Sequence, residues 1–236
     1  MRTWTLDDLA RMIDHTNLKP FASAAHMEKL CSEARDNHFA MVAINQTQCA
    51  LCKRLLDGTD IHVGAAISFP LGQTTIASKV FDTQDAIANG ADEIDYVVNL
   101  TELKNGNWSY VADEMAQIVN VSHEHGKICK VIFENCYLED SEKIRLCDIA
   151  SEVRPDFIKT STGFGTGGAT FDDVRLMVEH VDSAVHVKAA GGIRTADDFL
   201  EYVRLGCRRI GTSAGVAIIR EIASRMEAAG SSTIEL

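Results

Sequence analysis

Two lysines sit in apolar segments where a structural core would hold none. One lies in Asp156-Phe157-Ile158-Lys159-Thr160-Ser161-Thr162-Gly163-Phe164-Gly165, which reads as a short buried strand running into a polar, glycine-rich turn. The other lies in Val185-His186-Val187-Lys188-Ala189-Ala190-Gly191-Gly192. Lysine is almost never fully buried unless it is paired or used. The use that two such residues offer is covalent amine chemistry. A Schiff-base lysine must be neutral at working pH, well below its ordinary pKa of about 10.4. Burial lowers that value, and a neighbouring ammonium lowers it further, because two like charges resist each other. Neighbouring strands lie roughly 4.8 Å apart, so lysines on adjacent strands fall within this range. One would then be the nucleophile and the other its charged neighbour, with an acid such as Asp95 moving protons beside them. Spacing does not say which lysine attacks, and Lys130 is a third candidate.

The elements that must position these residues alternate along the chain. Strand-like runs fall at Ile13–Thr16, Ala40–Asn45, His62–Ile67, Glu93–Val98, Lys127–Phe133, Phe157–Thr160, His186–Ala189 and Arg208–Gly211. Between them lie amphipathic segments such as Ser23–Asn37, Thr74–Asn89 and Trp108–His125, and a short helix is expected over Thr5–Ile13. Eight strand-then-helix units in 236 residues predict a (β/α)8 TIM barrel with a short extra N-terminal helix, residues 1–236 forming one domain.

In such a barrel chemistry gathers at the C-terminal ends of the strands. Asp14, Thr16 and Asn17 end the first strand, Asn45 the second and Ser68 the third. Asp95 lies in the fourth; Lys130 and Glu134 share a face of the fifth by alternation. This density of charge in a barrel interior points to a site. Ala190-Gly191-Gly192-Ile193-Arg194-Thr195 follows strand seven, and Gly211-Thr212-Ser213-Ala214-Gly215 follows strand eight and opens a helix. Backbone N–H groups at such turns bind phosphate, which predicts a phosphorylated small-molecule substrate.

The totals remove other classes. A formal net charge of −11 works against nucleic acid and anionic membrane as partners. The opening residues lack an apolar leader and no run is long enough to span a bilayer, which gives the expectation of a cytoplasmic protein. Seven scattered cysteines fit buried thiols in a reducing compartment.

Five segments together resemble deoxyribose-phosphate aldolase, a class I aldolase family. They are Asp14-His15-Thr16-Asn17-Leu18-Lys19-Pro20, Gly90-Ala91-Asp92-Glu93-Ile94-Asp95, Lys130-Val131-Ile132-Phe133-Glu134, Lys159-Thr160-Ser161-Thr162-Gly163-Phe164 and Val187-Lys188-Ala189-Ala190-Gly191-Gly192-Ile193-Arg194. The resemblance implies cleavage of 2-deoxyribose 5-phosphate into glyceraldehyde 3-phosphate and acetaldehyde, without cofactor or metal, by a homodimer. It makes Lys159 the Schiff-base lysine, Lys188 its charged neighbour, Asp95 the proton donor and acceptor, and Lys130 a supporting lysine. It puts Thr16 and Thr162 near the sugar hydroxyls and Gly191, Gly192, Gly211 and Ser213 around phosphate. Two features depart from the family: Ala43 stands where many members carry a cysteine, and the tail Ser231–Leu236 carries no terminal tyrosine.

Competing readings are an aldolase for another phosphosugar and a phosphosugar-binding barrel without catalysis. Several motifs are bland. Gly163-Phe164-Gly165-Thr166-Gly167-Gly168 fits a dinucleotide pattern, but the next strand ends without the acid such a site wants. Cys49-Ala50-Leu51-Cys52 has no second pair for zinc, His123-Glu124-His125 reads as a solvated helix end, and His186 reads as core.

Overall fold

The computed structural model describes residues 2–236. The chain opens with a three-residue strand β1 (Thr3–Thr5) and a short helix α1 (Leu6–Ala10). Thr5 caps that helix reciprocally with Asp8: its hydroxyl accepts from the Asp8 amide at 3.1 Å, and its own amide donates to the Asp8 carboxylate at 2.9 Å. The helix is shorter than the expected Thr5–Ile13, because Ile13 already begins the first barrel strand.

Next come β2 (Ile13–Asn17), α2 (Ala24–Asn37), β3 (Met41–Asn45) and α3 (Cys49–Leu55). They are followed by β4 (His62–Ile67), α4 (Ile76–Ala88) and β5 (Glu93–Val97). A short helix α5 (Leu100–Lys104), which the sequence reading did not foresee, precedes α6 (Trp108–Glu124) and β6 (Ile128–Ile132). Then follow α7 (Asp140–Val153), β7 (Phe157–Lys159), α8 (Phe171–His180) and β8 (His186–Ala190). The barrel closes with α9 (Ala196–Arg204), β9 (Arg209–Thr212) and α10 (Gly215–Ala228), and a last strand β10 (Thr233–Glu235) follows.

Strands β2 to β9 pair in chain order, all parallel, and β9 returns to β2 through the pair Ile13↔Ile210. The (β/α)8 TIM barrel expected from the alternation is the observed fold. Each crossover helix exists because parallel neighbours need a long connection, and each buries one apolar face on the barrel. Helix α9 illustrates the logic. Thr195 caps it through the Asp198 amide, acids occupy its first turn, and Phe199, Leu200, Tyr202 and Val203 are buried. Each of those side chains contributes roughly 1.5–3 kcal/mol when fully buried. Gly206, at φ +103°, ends it in a backbone conformation that other residues rarely adopt.

The chain termini form an antiparallel pair, Thr3↔Glu235 to Thr5↔Thr233, sealed over buried Trp4. None of the paired residues lines the cavity described below. Helices α4 and α6 are joined by an ion pair with neither partner exposed, Lys79 to Glu114 at 2.7 Å. Lys79 also donates to the Val97 carbonyl at 2.6 Å, and Glu114 accepts from the Asn99 amide at 2.9 Å. This pair fastens the end of β5.

Candidate active site

Register brings the predicted charges face to face. Lys159 on β7 lies directly opposite Lys188 on β8, and Asp95 on β5 lies opposite Lys130 on β6. Asp95 is the hub. One of its oxygens accepts from Lys188 at 2.7 Å and Lys159 at 3.1 Å; the other accepts from Lys130 at 2.6 Å. All four side chains are buried.

A second tier lies deeper, nearer the strands' N-terminal ends. Lys188 pairs with Asp14 and Lys130 with Glu93. Arg209 donates to Asp14 at 2.6 Å and to Glu93 at 3.0 Å. The sequence reading noted Asp14 but missed Glu93 and Arg209. The available signal was parity: each lies two residues before an inward-facing position of its strand, at Asp95 and Gly211.

Burial, and after it the Lys188 ammonium, pushes the Lys159 amine down to about 8, against the pull of Asp95. Burial works to raise the Asp95 carboxyl, yet Lys130, Lys188 and Lys159 outweigh it and hold it well below the usual carboxylate range. Lys130 is also opposed by burial, but Asp95 and Glu93 overcome this and raise it. One amine in the cluster is therefore tuned towards neutrality while an ionised carboxylate sits beside it.

Above this cluster opens a cavity of about 340 Å³. Of the three lysines only Lys159 lines it, together with Thr16, Thr162, Gly191, Gly192, Gly211 and Ser213. Gly191 and Gly192 have φ of +86° and +81°, which glycine adopts freely and other residues do not. Thr162 is fixed by Glu134, whose carboxylate accepts from its hydroxyl and, at 3.0 Å, from its amide. Glu134 lies just beyond β6 in a left-handed conformation, φ +58°, and burial pushes its carboxyl up. The Thr16 hydroxyl donates to the Asp14 carbonyl at 2.8 Å.

Other sequence candidates fall elsewhere. Asn45 and Ser68 line a separate cavity beside the β4–α4 loop. Ala43 is buried on β3. His186 is exposed rather than core: alternation faces it inward, but it sits at the N-terminal mouth of the barrel, edge-on to Phe157. The Gly163–Gly168 run does not open a helix, since α8 begins only at Phe171. Cys49 and Cys52 are buried and unpaired on α3, and His123 bonds Asp156 at 2.9 Å at the end of α6.

A barrel mouth that presents one tuned amine to a half-open, glycine-bordered cavity can do amine chemistry on a carbonyl substrate. The class of protein this defines is an aldolase, a carbon–carbon lyase. Known proteins sharpen the class. The description of the DeoC/LacD family aldolases matches residues 9–225. A deoxyribose-phosphate aldolase of Lactobacillus acidophilus is 60% identical over 224 residues, covering 95% of this chain and 94% of its own. One from Bacteroides thetaiotaomicron is 52% identical, covering 91% and 90%. Among solved structures, the deoxyribose phosphate aldolase of Aeropyrum pernix, described as a unique tetramer, superposes with a TM-score of 0.87 at 30% identity, covering 94% of this chain and 93% of its own. The chain belongs to the DeoC/LacD aldolase family.

Proposed function

We propose that this chain reversibly cleaves 2-deoxy-D-ribose 5-phosphate to D-glyceraldehyde 3-phosphate and acetaldehyde through a Schiff base on Lys159. The observation that carries the assignment is that Lys159 alone among the clustered amines reaches the cavity, and its pKa is brought to about 8. The neutral Lys159 amine adds to the C1 aldehyde of the open-chain sugar, and loss of water leaves an iminium. The C3 hydroxyl gives up its proton to the Asp95 carboxylate, which the Lys188 ammonium holds in place, the C2–C3 bond breaks, and its electron pair flows into the iminium to give an enamine. Glyceraldehyde 3-phosphate departs, C2 is protonated, and hydrolysis releases acetaldehyde and restores the amine.

Lys130 supports Asp95 from the side away from the cavity. Thr16 and Thr162 meet the sugar hydroxyls, and the phosphate lies against Gly191, Gly192, Gly211 and Ser213, where N–H groups supply the donors that the chain's net charge of −11 does not. Residues 1–236 act as one barrel domain. We place the enzyme in the cytoplasm as a homodimer; unpaired cysteines at all seven positions fit a reducing compartment, and no helix among the described residues is long and apolar enough to cross a membrane. The test is to incubate the purified protein with 2-deoxyribose 5-phosphate and assay both aldehydes. Equimolar acetaldehyde and glyceraldehyde 3-phosphate are expected. Thermal stabilisation by the sugar phosphate with no product would instead favour the non-catalytic binding barrel, and turnover only of another phosphosugar would replace the substrate.

A further inference from the structure

The barrel's ion-pair network holds four cations and only three carboxylates. The cations are Lys130 on β6, Lys159 on β7, Lys188 on β8 and Arg209 on β9; the carboxylates are Asp14 on β2 and Glu93 and Asp95 on β5. Strand β3 turns the uncharged Met41 towards Lys130. The other titratable groups nearby are His62 on β4, half-exposed against Glu93 at 2.8 Å, and Glu134, whose carboxylate is engaged by Thr162. The shortage of negative charge is unevenly shared. Arg209 spans two of the three carboxylates, so Lys130 and Lys188 share each of theirs with it and turn also to Asp95. Lys159 is left with one bond, at 3.1 Å, to an oxygen already accepting from Lys188 at 2.7 Å.

We infer that Arg209 is a positioning residue that keeps the Lys159 amine short of counter-charge by occupying Asp14 and Glu93. It touches neither the cavity nor the reacting atoms. Without it, Asp14 would satisfy Lys188 and Glu93 would satisfy Lys130. Asp95 would then be free to hold Lys159 as an ammonium. The guanidinium suits this role, since it is always charged and its planar fork reaches two carboxylates at once. Glu93 is the opposing lever. Removing its charge leaves Lys130 and Arg209 with fewer partners, so both draw harder on Asp95 and Asp14, and Lys159 loses more of its share.

This inference rests on the Schiff-base reading, and the experiment separates the two. Wild type and the variants Arg209→Gln, Arg209→Lys and Glu93→Gln are treated with acetaldehyde and cyanoborohydride at a series of pH values. The rate of Lys159 modification is followed by peptide mass mapping, and the midpoint of its rise with pH is read. For Arg209→Gln the midpoint is expected to move up by about one pH unit, and for Glu93→Gln to move down by a similar amount. Arg209→Lys is expected to return towards wild type. Variants that are slower but keep the wild-type midpoint, or that both move in one direction, overturn the inference and reduce Arg209 to a packing role. No adduct in wild type overturns the Schiff-base reading itself. If Arg209→Gln does not fold, Arg209→Met, which keeps much of the stem volume without the charge, is read in its place against the same expected rise, and an unmoved midpoint overturns the inference.

Discussion

Replacing Lys79 with methionine tests whether the buried pair behind β5 is ionic. Met retains most of the stem volume, so the loss is the charge and its hydrogen bonds. Glu114 is then left in the fold with no exposure and no cation. It need not stay charged, because it can take up a proton, and that limits the penalty. At pH 7, keeping a carboxyl protonated that would ionise in the unfolded chain costs about 3.5 kcal/mol; at pH 5 it costs about 1. Losing the bond to the Val97 carbonyl adds on the order of 1–3 kcal/mol at either pH. The total at pH 7 is about 5 kcal/mol, in line with one partner lost from a buried pair. The sign follows from linkage. Burial already raises the Glu114 carboxyl and the variant raises it further, so stability is retained below the unfolded-state value and lost as pH rises through the folded one. Urea unfolding of Lys79→Met against wild type should therefore show a deficit that shrinks by about 2.5 kcal/mol from pH 7 to pH 5. In Lys79→Met/Glu114→Gln the amide still accepts from Asn99, so most of the pH dependence should vanish and part of the stability should return. A deficit under about 1 kcal/mol, or one equal at the two pH values, would refute the ionic account.

Three further outcomes follow from the same physics. In Lys188→Met, Lys159 loses its ammonium neighbour. Both nitrogens bond one Asp95 oxygen, which limits their separation to about 6 Å, worth about two pKa units at an effective dielectric near 20. The midpoint of activity against pH should rise accordingly, and a fall in rate without that rise would contradict the pKa role. Burial lowers the pKa of His15, so the fold loses stability as pH falls below about 6.5 and the unfolded chain binds a proton first. His15→Gln should flatten that decline in thermal unfolding scans, and an unchanged slope would exclude His15 as its source. Six of the seven cysteines are buried, with Cys49, Cys129, Cys147 and Cys207 thiols pushed up to about 12, while Cys136 is partly accessible. Iodoacetamide on the native protein should label Cys136 and spare the other six, with all seven labelled after denaturation.

Much of this was legible before any coordinates. The alternation of apolar runs with amphipathic segments located every barrel strand, because a parallel barrel repeats one local pattern. The mutual approach of Lys159, Lys188, Asp95 and Lys130 was also legible, since a charged residue inside an apolar strand has few explanations. What escaped depends on contacts without a local signal. The pairing of Thr3–Thr5 with Thr233–Glu235 joins the two ends of the chain, and three residues of strand carry no periodicity. Lys79 and Glu114 sit on amphipathic helices, where a charge reads as solvated until packing shows it facing another helix. Glu93 and Arg209 start their strands, where a charge looks like an exposed edge. His186 shows the converse: inward parity gives direction, but depth along the barrel decides exposure.

The most direct test of the account is to treat the native enzyme with acetaldehyde and borohydride and map the modified peptide. An N-ethyl group on Lys159 is the predicted result, and it fixes both the reaction class and the nucleophile. An adduct on Lys188 or Lys130 would keep the amine chemistry but contradict the assignment built on cavity access. A folded protein that gives no adduct with acetaldehyde, and none with 2-deoxyribose 5-phosphate, would contradict the Schiff-base mechanism altogether.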